Sequence, residues 1–370
     1  MTTYEVLIVG GGIIGCTLAR SLAREGVKVG VIERGALGGE ASSAAAGMLS
    51  PSAEAEKNSP LFPLCRASLE LYATLAADLY SETGIDPHYR TEGALLLYAN
   101  EKDRLALLPS IYWQRNQGVK IQEMSQNELL SREPQLHNPG GGFFLPGDHQ
   151  IDNRALMQAL VQSCRRNGVA FVLGKNVTEI KPHGTAEILV ISGREVFSAP
   201  QVVNTSGAWA AQISVAGLSP PPIRPVKGHI LALESSEAPL RHVIRSHGCY
   251  LVPRRGGKVI VGSTMEEAGF DKSLRAGPLT QLLVAAQETC PILERSVVFD
   301  QWAGLRPASS DGLPLVGPTE IKGYFLGLGH FRNGILLAPV TAEILAGLLL
   351  LGESPYPISS ILPSRFTNST

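Results

Sequence analysis

Apolar residues crowd the first thirty positions in an order that reads as strand, turn, helix and strand. Residues 5–9, Glu-Val-Leu-Ile-Val, are a short β-branched run, the pattern of a strand buried on both faces of a parallel sheet. Glycines follow at once. Residues 16–25 then carry Leu18, Ala19 and Leu22 on one helical face, Gly26 ends the helix, and residues 27–32 form a second strand that closes on Glu33. This is a complete βαβ unit. Helical spacing of Leu64, Leu71, Leu75 and Leu79 predicts a helix over 61–81, and residues 91–98 read as a strand. The Pro/Gly-rich passage 139–147 predicts a crossing between domains. Beyond it come a helix at 153–167 and a strand at 169–173 that 177–181 continues, then a hairpin around 186–190 and 194–197 and a strand at 201–204. After Pro220-Pro221-Pro222 short strands dominate, at 229–234, 250–253 and 258–261, which predicts an antiparallel sheet. The chain closes with a strand at 324–327, a glycine turn at 329–334 and a long helix expected to be buried and amphipathic. Because α/β character returns at the end, the first domain is expected to be assembled from discontinuous pieces.

The turn between the first strand and helix is Gly10-Gly11-Gly12-Ile13-Ile14-Gly15, a G-x-G-x-x-G pattern in its proper context. Gly10 permits the tight turn, Gly12 lets a pyrophosphate approach the backbone, and Gly15 lets helix and strand pack closely. The helix start then offers unpaired N–H groups and partial positive charge to phosphates. Glu33 is placed to accept hydrogen bonds from a ribose, and its carboxylate disfavours a 2′-phosphate despite the neighbouring Arg34. The motif signals a dinucleotide without separating NAD from FAD.

Composition narrows the classes further. The chain has 370 residues, 44% of them hydrophobic and 18% charged, with a net charge of −1. That suits a globular protein of two domains, or one large domain carrying an insertion, and supplies no electrostatic footprint for nucleic acid or anionic membrane. Cys16, Cys65, Cys164, Cys249 and Cys290 are scattered without a C-x-x-C pair, so neither disulfides nor a metal site is expected. No signal peptide is read ahead of the first strand, and the apolar stretch 334–351 contains Pro339 and Glu343. A soluble, cytoplasmic protein is therefore the expectation.

Three further segments make the choice of cofactor. They are the small-residue run 38–49 (GGEASSAAAGML), the run 202–209 (VVNTSGAW), and the C-terminal set WAGLRP at 302–307, DGLP at 311–314 and GHFRNGILLAP at 329–339. With the N-terminal turn, they resemble the D-amino-acid oxidase and sarcosine oxidase superfamily, and within it the glycine oxidases of the thiamine pathway, essentially end to end. The resemblance implies a mixed α/β and α+β fold with a Rossmann-like FAD-binding domain at 1–84, 150–219 and 308–365. A discontinuous antiparallel-sheet substrate domain would occupy 85–149 and 220–307. FAD would be held by Gly10, Gly12, Ile13, Ile14, Gly15, Glu33, Arg34, Ala41, Ser42, Ala46, Gly47, Met48 and Val177 and by the 330–336 segment. That last segment is His330, Phe331, Arg332, Asn333, Gly334, Ile335 and Leu336. No cysteine stands where sarcosine oxidases attach flavin, so the FAD is expected to be non-covalent.

Oxidation of an amine by hydride loss asks the protein mainly for orientation, and a carboxylate is best oriented by the planar fork of an arginine. The resemblance places Tyr250, Arg306 and Arg332 in that clamp. Met48 and Met265 match the apolar pocket walls, although methionine also fills cores generally. His330 is expected to be structural. The implied reaction converts a small amino acid (glycine, sarcosine or D-alanine), oxygen and water into 2-oxo acid, ammonia or amine, and hydrogen peroxide. It would supply glycine imine to thiazole synthesis. The alternatives are a D-amino-acid dehydrogenase passing electrons to a quinone and a flavin-binding module of an RNA-modifying system. A homotetramer is implied by the resemblance alone.

Overall fold

The structure, a computed structural model, describes residues 4–184, 186–237 and 240–366. Its centre is a six-stranded sheet in the order Leu315–Pro318, Tyr324–Leu328, Gln201–Asn204, Val6–Val9, Val29–Glu33, Ala170–Leu173. All neighbours are parallel except the first pair. The strand period of two sorts its side chains. Val6, Ile8, Val29, Val31 and Val203 face the helices Ile13–Arg24, Phe62–Thr83, Asn153–Arg166 and Gly334–Leu350. Leu7, Val9, Ile32 and Val202 point the other way, onto Ile180, Ile188 and Val190. Those belong to a small four-stranded sheet ordered Glu195–Ala199, Glu187–Ser192, Glu179–His183, Ser214–Val215. The segment expected to continue strand 169–173 therefore lies in a different sheet. Lys175 N–H bonds Glu33 O at the strand's end, and the chain then turns to the opposite face.

A second body is built on an eight-stranded sheet. Its order is Val297–Ser309, Ile223–Glu234, Lys258–Gly262, Tyr250–Pro253, Val243–Arg245, Ala94–Tyr98, Gly141–Leu145, Gln122–Ser125. The passage expected to be a domain crossing is thus a strand, Gly141–Leu145, paired on both sides. Its glycines are needed there: a Cβ on Gly141 would sit 2.3 Å from the Tyr98 hydroxyl, and one on Gly142 2.9 Å from Leu96 O. The helices Glu101–Asn116 and Ala276–Thr289 and the long edge strand Val297–Ser309 have no counterpart in the sequence-based reading. Each presents a largely exposed surface, and Glu101–Asn116 buries only Ile111 and Gln114, so their periodicity is weak.

The C-terminal helix Gly334–Leu350 is apolar on every side, and most of its residues are buried. The expected amphipathic stripe is absent because other helices surround it; the segment Phe331–Leu350 is long and apolar enough to cross a membrane by composition, yet most of it is buried inside the protein. Pro339 lies within it. Proline has no N–H for the carbonyl four residues back, here Ile335 O, and the neighbouring helix supplies the missing donor. The buried Tyr72 hydroxyl donates to Ile335 O. One turn away Ser68 Oγ donates to Leu336 O at 2.6 Å and accepts from Val340 N at 3.2 Å. Two hydroxyls thus repair the helix whose first turn faces the pocket described below. Tyr72→Phe leaves the Ile335 carbonyl buried and unpaired, and should lower stability in urea unfolding by about 1–3 kcal/mol.

Candidate functional site

A long cavity runs between the two bodies, from Glu33, Lys175 and Val177 at one end to Tyr250, Arg306 and Arg332 at the other. Its middle is the start of helix Ile13–Arg24. Gly10 takes φ +110°, and a Cβ there would lie 2.6 Å from Thr205 O; a Cβ on Gly15 would lie 2.1 Å from Gly10 O. Only glycine at both positions allows this approach of helix to strand. Ile13 N–H donates to Ser42 Oγ at 2.9 Å and Gly11 N–H to Glu33 Oε2 at 2.7 Å. The amides of Gly12 and Ile14 find no acceptor among the described residues, as the first turn of a helix requires. Unpaired amides and the positive helix end face the cavity together, which is what a pyrophosphate needs. Glu33 Oε1 also holds Gly35 N–H at 2.8 Å, so the carboxylate shapes its own turn. Arg34 pairs with Glu40 at 3.0 Å and lies 3.5 Å above the Trp209 ring.

The middle wall comes from residues 41–48. The short helix Ala41–Ala44 fits against the edge strand because Gly304 has no side chain: a Cβ there would meet Ala44 Cβ at 2.5 Å. Trp302 Nε1–H donates to Ala44 O at 3.0 Å, and Asn153 Nδ2–H to Ser42 O at 2.8 Å. Arg254, which the sequence did not mark, donates to Ala46 O, to Ile151 O at 3.0 Å and to Gln150 Oε1 at 2.9 Å. Burial pulls its guanidinium down to about 10. Gly47, at φ +70°, is dictated by the same packing, since a Cβ would meet Ile151 O at 2.0 Å.

At the far end two side chains meet over bare backbone. Arg306 stands on the edge strand, and Tyr250 three strands away in the same sheet. Between them lie Gly228 and Gly262. A Cβ on Gly228 would fall 2.4 Å from the Arg306 guanidinium, and one on Gly262 2.3 Å from the Tyr250 hydroxyl. The two glycines are the trough in which the side chains lie. Arg306 Nη2–H donates to Ser263 Oγ at 2.5 Å and Nη1–H to Thr264 O at 3.2 Å. Burial lowers the Arg306 pKa, opposed by Tyr250 and Glu54, and burial raises that of Tyr250, opposed by Arg306. Arg332 is exposed at the mouth, 3.9 Å from both Glu54 and Glu56.

The neighbourhood holds orphaned polar atoms. Ser50 Oγ and Glu54 Oε2 are buried, without hydrogen-bond partners, and both residues line the cavity. Their loop is fastened by the buried Asp148, which accepts from Ser52 N at 3.0 Å and Ala53 N at 2.8 Å; burial raises that carboxyl to about 6. His330 is buried, bonds Thr341 Oγ1 at 3.0 Å, and is lowered to about 3 by burial. It is neutral at ordinary pH, with no second polar partner to pass a proton to among the described residues.

Most residues singled out from the sequence line this one cavity. Gly10, Gly12, Ile13, Ile14, Glu33, Arg34, Ala41, Ser42, Ala46, Gly47, Met48 and Val177 do so, as do Tyr250, Arg306, His330, Phe331, Arg332, Asn333, Gly334 and Ile335. Three do not. Gly15 acts from behind, through packing, and Leu336 is buried in the helical core, its carbonyl bound to Ser68. Met265 is 60% exposed and lies outside the cavity, which corrects its assignment as a pocket wall. Its neighbours Thr264 and Glu266 are tied to His229, at 3.1 Å and 2.9 Å, and Lys227 N–H binds Glu266 O, so this segment turns the methionine outward. Arg254, Glu54, Ser50 and Gly228 were missed, since a lone arginine, glutamate, serine or glycine carries no pattern.

The cavity fits FAD: amides and a carboxylate at the nucleotide end, a long middle walled by small residues, and a polar end with Tyr250, Arg306 and Arg332. Removing the Arg254 brace unseats that middle wall. Arg254→Ala should weaken FAD binding about tenfold or more, measured by reconstituting the apoprotein and following flavin fluorescence.

The sequence pattern of the FAD dependent oxidoreductase family matches residues 5–348. A glycine oxidase of Geobacillus kaustophilus is 35% identical over 98% of this chain and 97% of its own. A bifunctional protein ThiO/ThiG of Synechocystis is 33% identical over 100% of this chain and 55% of its own. The crystal structure of glycine oxidase from Geobacillus kaustophilus superposes with a TM-score of 0.94, covering 99% of both chains at 33% identity. With FAD as its cofactor, the chain belongs to the FAD-dependent oxidoreductase family and, within it, to the glycine oxidase branch of the amino-acid oxidases.

Proposed function

We propose that the enzyme oxidises glycine and other small amino acids to the 2-oxo acid, ammonia or amine, and hydrogen peroxide, with oxygen as the acceptor. The carrying observation is Arg306. Its guanidinium is half-buried at the far end of the cavity, beside Tyr250, and no carboxylate lies within ion-pair distance among the described residues. A desolvated cation left without an anion is costly. A substrate carboxylate would meet that need through two charge-assisted bonds, with the Tyr250 hydroxyl as a further donor.

Bound FAD supplies the two-electron acceptor for the substrate's Cα hydrogen. The protein's own share is positioning. Arg306 and Tyr250, with Arg332 at the mouth as the third member of the clamp, hold the carboxylate, so the Cα and amine are oriented by the anchored end. Half-buried Met48 and the buried Ala46 form an apolar wall beside Tyr250. His330 stays neutral and, with its pKa lowered to about 3, is a poor acceptor for the amine's proton. The amine therefore enters deprotonated, and the product imine is hydrolysed to oxo acid and ammonia. A source of glycine imine for thiazole formation in thiamine synthesis is consistent with the likeness to the ThiO/ThiG protein. Sarcosine and D-alanine differ from glycine by one methyl, worth about 1–3 kcal/mol of discrimination in an apolar pocket. A homotetramer, resting on the resemblance, and a cytoplasmic location, resting on the sequence reading, remain part of this proposal.

One outcome tests the clamp, and a second tests the neutral state of His330. Arg306→Ala should raise KM for glycine by about a hundredfold to a few thousandfold in peroxide-release kinetics, equivalent to roughly 3–5 kcal/mol for breaking a desolvated charge pair, with FAD content near normal. Unchanged glycine kinetics would remove Arg306 from the clamp. His330 supplies a pH signature. Its folded pKa is depressed to about 3, so the unfolded chain binds the extra proton as pH falls below its ordinary value near 6.5. The stability His330 contributes is present above that pH and lost on acidification. Between pH 7 and pH 5 the wild type should lose on the order of 2 kcal/mol more than His330→Asn in urea unfolding.

A further inference from the structure

Arg306 leans on one short turn, donating to the Ser263 hydroxyl at 2.5 Å and to the Thr264 carbonyl at 3.2 Å. Residues 263–265 belong to no strand or helix, so side-chain bonds carry much of their placement. The turn follows the strand Lys258–Gly262 and runs beside the strand Ile223–Glu234, where Lys227 and Glu266 exchange backbone hydrogen bonds. Alternation along that neighbouring strand sorts its residues. Gly228 and Ile230 line the cavity, and Gly228 clears the space for the Arg306 guanidinium. His229 points to the opposite face, the side on which Leu231 and Leu233 pack with Leu282 and Ala286 of the helix Ala276–Thr289.

On that hidden face His229 is fully buried, and both ring nitrogens are engaged. Nε2 accepts from Arg275 N–H at 3.2 Å, which leaves the ring proton to Nδ1. Nδ1 lies 2.9 Å from Glu266 Oε1 and 3.1 Å from Thr264 Oγ1. The Thr264 hydroxyl accepts from His229 N–H at 3.0 Å and donates to Glu266 Oε1 at 3.0 Å. Its side chain is thus gripped behind the sheet while its carbonyl serves Arg306 in front. Neither His229, Thr264 nor Glu266 lines the cavity.

We propose that His229 is a positioning residue for the substrate clamp: through Thr264 it sets the direction in which the Arg306 fork faces. This rests on Arg306 binding the substrate carboxylate. A guanidinium grips a carboxylate through two parallel bonds only when its plane is aimed. Two of its donors are committed to Ser263 and Thr264, so the turn carrying those acceptors fixes the aim. A buried network with every member paired is suited to hold such a turn still.

The test uses FAD-loaded wild type, His229→Leu, Thr264→Val, Thr264→Ser, Arg306→Lys and the double variant of His229→Leu with Arg306→Lys. Acetate is titrated against the bound-flavin absorbance, and glycine kinetics are followed by peroxide release. His229→Leu and Thr264→Val should each weaken acetate binding and raise KM for glycine about tenfold, with kcat changed less than about twofold, since lost aim costs roughly one hydrogen bond to a charged group. Thr264→Ser keeps the hydroxyl and should stay within about threefold of wild type in both measurements. The effect of His229→Leu on acetate should vanish in the Arg306→Lys background, where no fork is left to aim. Unchanged acetate affinity and KM in His229→Leu would overturn the inference, whatever happens to its melting temperature or FAD content. So would a loss that persists undiminished beside Arg306→Lys, or an equal loss in Thr264→Val and Thr264→Ser. If His229→Leu folds poorly, the two Thr264 variants carry the same decision. Failure of the underlying clamp is distinguishable, since Arg306→Lys alone would then bind acetate and oxidise glycine as the wild type does.

Discussion

Backbone meets backbone at Gly10, Gly15 and Thr205, and the pocket takes its position from that approach. The helix Ile13–Arg24 can sit on its strand only because Gly15 has no Cβ, which would collide with Gly10 O. Thr205 Oγ1 bonds Gly10 O at 2.9 Å and joins the turn to the next strand of the sheet. With the helix seated there, its unpaired first-turn amides point into the cavity, and Ser42 comes close enough to cap Ile13. The 41–48 wall follows from Ser42, and the far end follows from that wall. A pyrophosphate site and an amine-oxidation site are thus linked by one line of close contacts.

The same device recurs at the other end with a different purpose. Gly228 and Gly262 clear the sheet surface so that Arg306 and Tyr250 can lie along it and meet. Glycine is a poor strand residue on intrinsic grounds, and the cost is tolerated where a long functional side chain must cross a neighbouring strand. Gly304 does the same for the small-residue wall. Absent side chains shape this cavity as much as present ones do.

Polar groups drawn into the interior are handled in two ways. Some are completed: Tyr72 and Ser68 replace the hydrogen bonding that Pro339 interrupts, and Asp148 is bound by two amides. Others are left open at the cavity. Arg306 lacks an anion, and Ser50 Oγ and Glu54 Oε2 lack partners. The closed set holds the scaffold rigid, and the open set marks where ligand chemistry is needed.

The βαβ unit, the glycine turn and the strands at 201–204 and 250–253 were legible in the sequence because each rests on local rules: period, turn chemistry and helix-start geometry act within a few residues. The proposed clamp residues were singled out through family resemblance. Strand Gly141–Leu145 was misread as a crossing because its glycines answer to Tyr98 and Leu96, residues far away in the chain. The helix Gly334–Leu350 lost its expected polar face because its neighbours enclose it. Met265 looked like a wall and points outward, since Lys227 and His229 fix the segment that carries it. Arg254 and Glu54 gave no signal, because a single charge acquires meaning only from what surrounds it. Local chemistry determined that a dinucleotide binds and where. Which charges face the substrate, and which are spent on holding the walls, was decided by packing between distant segments, where desolvation turns an ordinary arginine or glutamate into a site.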